Sequence, residues 1–234
     1  MSGRPVPWAS WEEWLALRED IWSADPLRQE AGLQQVCAWR LRGKLPLGID
    51  TTAHLLATIR DDQEWQRAVA WASSTAASAT AGPAAAAAAA AEAAVAAGEL
   101  PLRLRYSLPL IRLVNGISDS QQRGRVAASV AVLADVAGLP RALVDVRHEA
   151  THTELPSLPL LRAAADSALG WLRENYWDAQ ARALDAAAGR ITRLLGCLLD
   201  SWRAALAAAR AGGRSRRHGG GAASEDEDDE EEEE

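Results

Sequence analysis

Apolar side chains recur every three or four positions through most of this chain of 234 residues, and no stretch alternates strictly between apolar and polar. The first spacing is typical of an amphipathic α-helix and the second of a half-buried strand, so the pattern predicts an all-α protein. The helices are expected at about 11–22, 26–42, 51–60, 63–71, 100–119, 121–137, 140–155, 157–172 and 178–211.

Local signals mark where several of these helices begin. Ser10 followed by Glu13 is a capping-box pattern, in which the two side chains satisfy backbone N–H groups of the first turn. Asp25 followed by Pro26 combines an N-cap residue with a first-turn proline. Pro140 and Ser157 carry the same kind of signal for the helices that follow them.

Three segments depart from the helical pattern. Residues 72–98 are rich in alanine, which favours helix but offers little side chain to bury, so they are expected to form a partly helical, low-complexity insertion outside the core. Residues 212–221 are rich in glycine and arginine and are expected to be flexible. The acidic tail, 225–234, is expected to be disordered.

Charge is divided unevenly along the chain. The formal net charge is −7, but without the ten acidic residues of the tail, 22 acids face 25 bases, and the rest of the chain carries about +3. Lys44 is the single lysine beside 24 arginines. A mildly basic body of this kind suits a protein that handles RNA, although many other proteins share it.

The composition also argues against some classes of protein. Cys37 and Cys197 are the two cysteines, which are too few for a disulfide framework or a cysteine-type zinc site and indicate a reducing compartment. Residues 1–11 lack the apolar run of a signal peptide. The polyalanine run at 84–91 is too weakly hydrophobic to cross a membrane, so no membrane association is expected.

The run from Arg147 to His152 carries the chemistry of greatest interest. It places His148 and His152, two of the four histidines, one helical turn apart and beside an arginine. An imidazole exchanges a proton near neutral pH, and a guanidinium is a permanent cation whose shape fits phosphate. Proton transfer and charge stabilisation together are what cleavage of an RNA phosphodiester without a metal ion requires.

The same residues allow two other interpretations. His148-Glu149-Ala150-Thr151-His152 satisfies the zinc-protease pattern H-E-x-x-H, for which Glu174 is the one candidate third ligand. A solvated helix face with no chemistry, or a satisfied core histidine, is the other. On an ideal helix Arg147 and His152 lie about 140° apart. They therefore line no single stripe, but both can border a cleft where this helix meets its copy in a symmetric dimer.

Residues elsewhere give weaker indications. Five arginines are candidates for phosphate contacts, with a solvated surface as the alternative: Arg103, Arg105, Arg112, Arg123 and Arg125. Asn115 precedes Gly116 and fits a capping or turn role. Five tryptophans are expected to anchor the core rather than to stack on bases: Trp8, Trp11, Trp14, Trp171 and Trp177.

Several ordered segments resemble the Las-one family of ribosomal RNA endoribonucleases, whose catalytic part has the all-helical HEPN fold (higher eukaryotes and prokaryotes nucleotide-binding). The matching segments are Val6–Trp8, Trp11–Trp14, Ala38–Arg40, Arg42–Pro46, Asp50–Ala53, Leu102–Tyr106, Ile111–Gly116, Gly138–Pro140, Arg147–Ser157, Ala168–Leu172 and Asn175–Trp177. The resemblance covers about residues 6–71 and 100–177. It implies an HEPN-like nuclease domain over 6–177, which the spacing and composition described above extend by a helix over 178–211 and a disordered segment over 212–234.

This resemblance implies a metal-independent endoribonuclease that needs no cofactor and cuts the second internal transcribed spacer of precursor ribosomal RNA. Its products would carry a 2′,3′-cyclic phosphate and a 5′-hydroxyl. The family's catalytic arginine and histidines correspond to Arg147, His148 and His152. It further implies a homodimer in the nucleus and nucleolus, and a polynucleotide kinase partner whose usual binding region has no recognisable counterpart in this sequence. A catalytically silent scaffold for ribosome assembly is the alternative.

Overall fold

The computed structural model describes residues 6–78, 83–122 and 128–218. No β-strand occurs among them, which confirms the all-α prediction. The chain divides into two compact units, residues 1–181 and 182–234. None of the described helices is both long enough and apolar enough to span a membrane.

The described helices follow one another with short connections. They are α1 (Trp11–Ile21), α2 (Pro26–Arg42), α3 (Leu47–Ser78), α4 (Pro83–Gln121), α5 (Val130–Val136), α6 (Arg141–His152), α7 (Leu158–Leu172), a π-helical segment (Arg173–Asp178) and α8 (Ala179–His218). In the first unit, α4 packs against α3, α5, α6 and α7, so it is the central helix of the bundle.

The predicted helix starts correspond to real caps. Ser10 Oγ accepts a hydrogen bond from the backbone N–H of Glu13 at 3.3 Å. Asp25 Oδ1 accepts one from the N–H of Leu27 at 2.9 Å, and Pro26 opens α2. Each bond satisfies one of the N–H groups that a helix leaves unpaired in its first turn. Ser157 is also an N-cap residue, but its side chain makes no capping bond.

The helices differ from the sequence prediction at several places. The break expected near residues 61–62 is absent, and α3 continues through it because the polar side chain there is paired inside the bundle. Helix α4 begins at Pro83 and includes much of the alanine-rich segment, as the helix propensity of alanine allows. The helix expected over 121–137 is replaced by the end of α4 and the short α5.

Three other predictions fall wholly or partly outside the described residues. Arg123 and Arg125 lie in the segment 123–127, for which the structure gives no description, and so does the acidic tail. The segment expected to be flexible from residue 212 is helical as far as His218, where α8 ends.

Tryptophans form much of the core of the first unit. Trp14 and Trp177 are fully buried and stack with their ring centroids 5.2 Å apart, which ties α1 to the π-helical segment. Trp177 Nε1 donates to Thr52 Oγ1 at 3.0 Å, so its polar atom is satisfied inside the core. The prediction of core anchors is confirmed for Trp8, Trp14 and Trp177, whereas Trp11 is 43% exposed and Trp171 is half-buried.

A buried carboxylate joins three helices of the bundle. Asp62 on α3 is 2% exposed and accepts hydrogen bonds from Arg162 Nε and Nη2 on α7 at 2.7 and 2.6 Å. Tyr106 Oη on α4 and Gln66 Nε2 also donate to it, each at 2.9 Å. Burial opposes ionisation of Asp62, but the hydrogen bonds from Arg162, Gln66 and Tyr106 outweigh it and lower its pKa.

The second unit contains the greater part of α8, from residue 182 onward. The apolar stripe that the sequence predicts for this helix exists, but its large side chains are exposed: Ile191, Leu194, Leu195, Leu198, Leu199 and Trp202. Cys197 on the same helix is a free thiol, and so is Cys37 in the first unit.

Candidate functional site

Helix α6 places the Arg147–His152 run at the edge of the bundle. Its residues Leu143, Val144 and Val146 are buried and hold the helix against its neighbours. Arg147 lies one turn after Leu143, at the edge of this buried face, and is itself half-buried. His148 and His152 lie on the other side of the helix and are both exposed. Arginine and histidines thus occupy different faces of one helix, as the 3.6-residue turn requires.

The position of Arg147 is set by a neutral side chain of α4. Arg147 Nε donates a hydrogen bond to Asn115 Oδ1 at 3.0 Å. The sequence predicted a capping or turn role for Asn115, and this prediction is wrong because α4 continues past it to Gln121. The amide of Asn115 fixes the guanidinium without neutralising its charge.

Most other arginines of the first unit are ion-paired. The pairs are Arg18–Asp178, Arg28–Asp20, Arg40–Asp50, Arg112–Asp50, Arg42–Glu13, Arg60–Glu30, Arg103–Glu99, Arg105–Asp61, Arg141–Asp145 and Arg162–Asp62. Arg147 has no carboxylate partner within the part of the chain that the structure describes. Its positive charge is therefore available to an anion that approaches α6.

His148 and His152 form a pair on the exposed face of α6. Their ring centroids lie 4.9 Å apart, with the ring planes inclined at 46°. This is close enough for both imidazoles to contact one phosphodiester and its ribose. Because both side chains are exposed, the alternative in which a histidine is buried in the core is excluded for both residues. The described contacts of a single copy do not join either histidine to Arg147.

The carboxyl end of α6 is held by Arg103 of α4. Arg103 Nε donates to the carbonyl oxygen of Pro156 at 2.9 Å, and its Nη2 donates to that of Leu155. These carbonyls lie in the connection directly after His152. Arg103 thus has a structural function that the sequence did not reveal, because nothing in a sequence links an arginine to backbone atoms 52 residues away.

The remaining candidate phosphate-binding arginines that the structure describes are engaged as well. Arg105 pairs with Asp61, and Arg112 pairs with Asp50 at 3.2 Å. Each is about half exposed, with a side-chain exposure of 51%. Their charges are partly compensated on the protein, so they match a structured polar surface better than a dedicated phosphate site.

The zinc interpretation needs a third ligand beside His148 and His152. Across residues 6–78, 83–122 and 128–218, no group of three or more His, Cys, Asp or Glu side chains is arranged to hold a metal ion. Glu149 is half-buried on α6, and Glu174, the candidate from the sequence, is an exposed residue of the π-helical segment. The described site therefore lacks the ligand set of a zinc protease.

Comparison with known proteins adds the context for this site. The model of a family described as Las1-like matches residues 6–179. The chain is 28% identical over 189 residues to the pre-rRNA-processing protein las1 of Schizosaccharomyces pombe, covering 78% of this chain and 33% of that protein. It is 33% identical over 186 residues to protein LAS1 of Saccharomyces cerevisiae, covering 75% and 31%.

A mammalian relative matches a similar part of the chain. The ribosomal biogenesis protein LAS1L of Mus musculus is 27% identical over 183 residues, which cover 76% of this chain and 19% of the mouse protein. The chain thus spans about a third or less of the length of these relatives. The family match includes α6, and so it includes the Arg147–His152 run.

Proposed function

This chain belongs to the Las1-like family, and we propose that it is a metal-independent endoribonuclease acting on precursor ribosomal RNA. The cleaved region is the second internal transcribed spacer, and cleavage serves maturation of the large ribosomal subunit in the nucleus and nucleolus. Two relatives are named for pre-rRNA processing and for ribosome biogenesis, which supports the substrate class.

One observation carries this proposal: an arginine without an ion-pair partner in the described chain lies one residue from a pair of exposed imidazoles. Arg147 is held by a neutral amide, so its Nη groups retain their charge for the phosphate. The histidines are open to solvent and 4.9 Å apart. These three side chains supply a base, an acid and a cation without a metal ion.

The reaction uses the ribose next to the cleaved bond. One histidine removes the proton of the 2′-hydroxyl while the 2′-oxygen forms a bond to phosphorus. The bond from phosphorus to the 5′-oxygen breaks, and a second imidazole gives that oxygen a proton. Arg147 binds the non-bridging oxygens and stabilises the additional charge of the pentacoordinate state. The products are a 2′,3′-cyclic phosphate and a 5′-hydroxyl.

His152 is the first choice for one proton transfer, and His148 transfers the other proton or positions the RNA. Because Arg147 faces α4 while the histidines face solvent, a second copy of the chain would complete the site across a twofold axis. The proposed partner is a polynucleotide kinase, because such an enzyme phosphorylates the 5′-hydroxyl end that this cleavage produces.

The test is cleavage of an end-labelled spacer RNA in excess chelator, with chemical analysis of both new ends. We expect cleavage to persist with chelator and to disappear in Arg147→Ala and in His152→Ala. Arg141→Ala is the matched control, because Arg141 lies at the other end of α6 and is exposed. Full cleavage by both active-site variants would refute the assignment and favour a scaffold.

A further inference from the structure

A cavity of about 960 Å³ lies in the first unit where the chain before α1, the α2–α3 connection and the end of α4 meet. Its lining residues are Val6, Pro7, Arg42, Gly43, Lys44, Leu45, Pro46, Leu47, Asp50, Arg112, Gly116, Asp119 and Ser120. Nothing in the reaction described above uses it. Its volume falls at the upper end of the range for small-molecule sites, so it is large enough for a nucleotide.

The wall of the cavity is built by specific contacts. Arg42 Nη1 donates to the carbonyl oxygen of Pro7 at 3.4 Å and to Glu13 Oε1 at 3.0 Å, which holds the chain before α1 against α2. Asp50 is shared between Arg40 and Arg112 at 3.0 and 3.2 Å. These bonds hold in place the segments that line the cavity. The lining includes the apolar residues Pro7 and Leu47 as well as the paired charges of Arg42, Asp50 and Arg112.

Two charged residues of the lining have no such pairing. Lys44 and Asp119 are both exposed, and neither makes an ion pair or a side-chain hydrogen bond within the described chain. A free ammonium matches a phosphate oxygen. A free carboxylate is purely an acceptor and matches N–H groups at the edge of a base. A cation, an acceptor and an apolar surface together match the phosphate, the edge of the base and the face of the base in a nucleotide.

Helix α4 contributes both to the cavity and to the candidate cleavage site. Arg112, Gly116, Asp119 and Ser120 of this helix face the cavity. Asn115, which holds Arg147, is one residue from Gly116 and therefore about 1.5 Å along the helix axis and about 100° around it. The cavity and the contact that orients Arg147 thus involve successive residues of α4, on adjacent faces of that helix.

We propose that this cavity binds one unpaired nucleotide of the RNA, adjacent to the cleaved phosphodiester. The inference rests on the proposed function and specifies how that site selects its substrate. The base enters the apolar cavity, Lys44 contacts the phosphate, and Asp119 accepts hydrogen bonds from the Watson–Crick edge. Guanine presents two adjacent N–H donors there, so a guanine is the base that the carboxylate favours.

Binding of an RNA that cannot be cleaved tests the pocket without relying on catalysis. The probe is a 2′-O-methyl single strand containing guanine, measured by fluorescence anisotropy at several salt concentrations. Lys44→Gln should weaken binding about 5-fold and reduce the salt slope by about 0.7, the value for one lost phosphate contact on a single strand. Arg67→Gln removes an exposed charge outside the cavity and is the matched control, which should leave the affinity within about 2-fold.

Substitutions at Ser120 and at Asp119 test where the base binds. Ser120→Trp fills the cavity from the end of α4 and should weaken binding about 5-fold, whereas Ser120→Ala should not. Asp119→Asn keeps the size of the side chain and removes its charge. It should abolish the preference for strands that contain guanine over strands in which inosine, which lacks one N–H donor group, replaces it.

The outcomes separate this inference from the proposed function. Unchanged affinity and base preference in Lys44→Gln, Asp119→Asn and Ser120→Trp, with RNA still cleaved, would overturn the pocket alone. Weakened binding in these variants together with full cleavage by Arg147→Ala and His152→Ala would support the pocket and overturn the nuclease assignment. Binding of an unmodified peptide in the cavity, with no effect on RNA, would also overturn the inference.

Discussion

Asn115 Oδ1 accepts a hydrogen bond from Arg147 Nε at 3.0 Å, so an uncharged side chain orients the guanidinium of the candidate site. The amide bonds to the Nε edge and leaves the Nη groups for a phosphate. A carboxylate at the same position would hold the arginine as firmly and would compete with the substrate for its charge. The neutrality of residue 115 is therefore as important as its ability to accept a hydrogen bond.

This relationship predicts the effects of two substitutions at one position. Asn115→Asp keeps the size and the acceptor but adds a negative charge, and we expect about 100-fold slower cleavage with little loss of stability. Asn115→Ala removes the orienting bond and leaves Arg147 charged, so we expect a smaller loss of about 10-fold. Cleavage rates at saturating RNA and thermal unfolding measure both effects.

A purely structural role for Asn115 predicts the opposite order. In that case Asn115→Asp would retain the hydrogen bond and its activity, and Asn115→Ala would be the more harmful change, in stability as well as in rate. Equal activity of the two variants and the natural protein would show that Arg147 needs no orientation from α4.

Arg103 offers a second prediction, because it binds the connection after His152 with two different nitrogen atoms. Arg103→Lys preserves the charge but cannot make both bonds, since lysine lacks the planar fork of donors. We expect a loss of about 1 kcal/mol in stability and about 10-fold slower cleavage, without a change in the salt dependence of RNA binding.

Arg105→Lys is the matched control for this change, because Arg105 is an exposed neighbour on α4 whose partner is a side chain of α3. Its effect on stability should stay below about 0.5 kcal/mol. If Arg103→Lys instead leaves stability intact and weakens RNA binding, Arg103 contacts the RNA, which is one of the two interpretations that the sequence left open.

Asp62 leads to a prediction about pH. Its pKa is lowered in the folded protein, so its stabilising contribution is complete above the unfolded value of about 4 and declines as the pH falls through the folded value. Asp62→Asn should cost about 3 kcal/mol at pH 7, because Arg162 loses its charged partner inside the bundle. The difference between the two proteins should shrink below about pH 4.

Urea unfolding at pH 7, 5, 4 and 3 measures this difference directly. Asp145→Asn is the control, since Asp145 is exposed and pairs with Arg141 at the surface of α6. A constant difference between natural protein and Asp62→Asn at every pH would contradict the assigned role of the charge.

Gly48 gives a prediction about packing. A Cβ atom at this position would lie 2.5 Å from Cγ of Tyr176, so the ring and the π-helical segment that carries it must shift. We expect Gly48→Ala to cost about 2 kcal/mol, as for other overpacked cores. Tyr176→Leu should recover part of this loss in the double variant, as measured by thermal unfolding. An additive combination would indicate that the two residues do not meet.

The sequence predicted the helical class and several helix starts because periodicity and capping are local properties. It could not predict that α3 continues through Asp62, since the partner that permits a carboxylate there lies 100 residues further along the chain. The same limit applies to Asn115. Its contact with Arg147 joins two helices, whereas its neighbour Gly116 signalled a turn. For the candidate site, the sequence predicted Arg147, His148 and His152, and the structure added the contacts of Asn115 and Arg103 with α6 and the connection after it.

The grip of Arg103 on the connection between α6 and α7 involves only carbonyl oxygens. Every amino acid provides that atom, so the bonds place no demand on which side chains occupy positions 155 and 156. Substitution of Leu155 or Pro156 therefore leaves both acceptor atoms in place, and the limit on these positions comes from the packing of the half-buried Leu155 and the buried Pro156. Loss of Arg103, in contrast, cannot be compensated by any substitution within the connection itself.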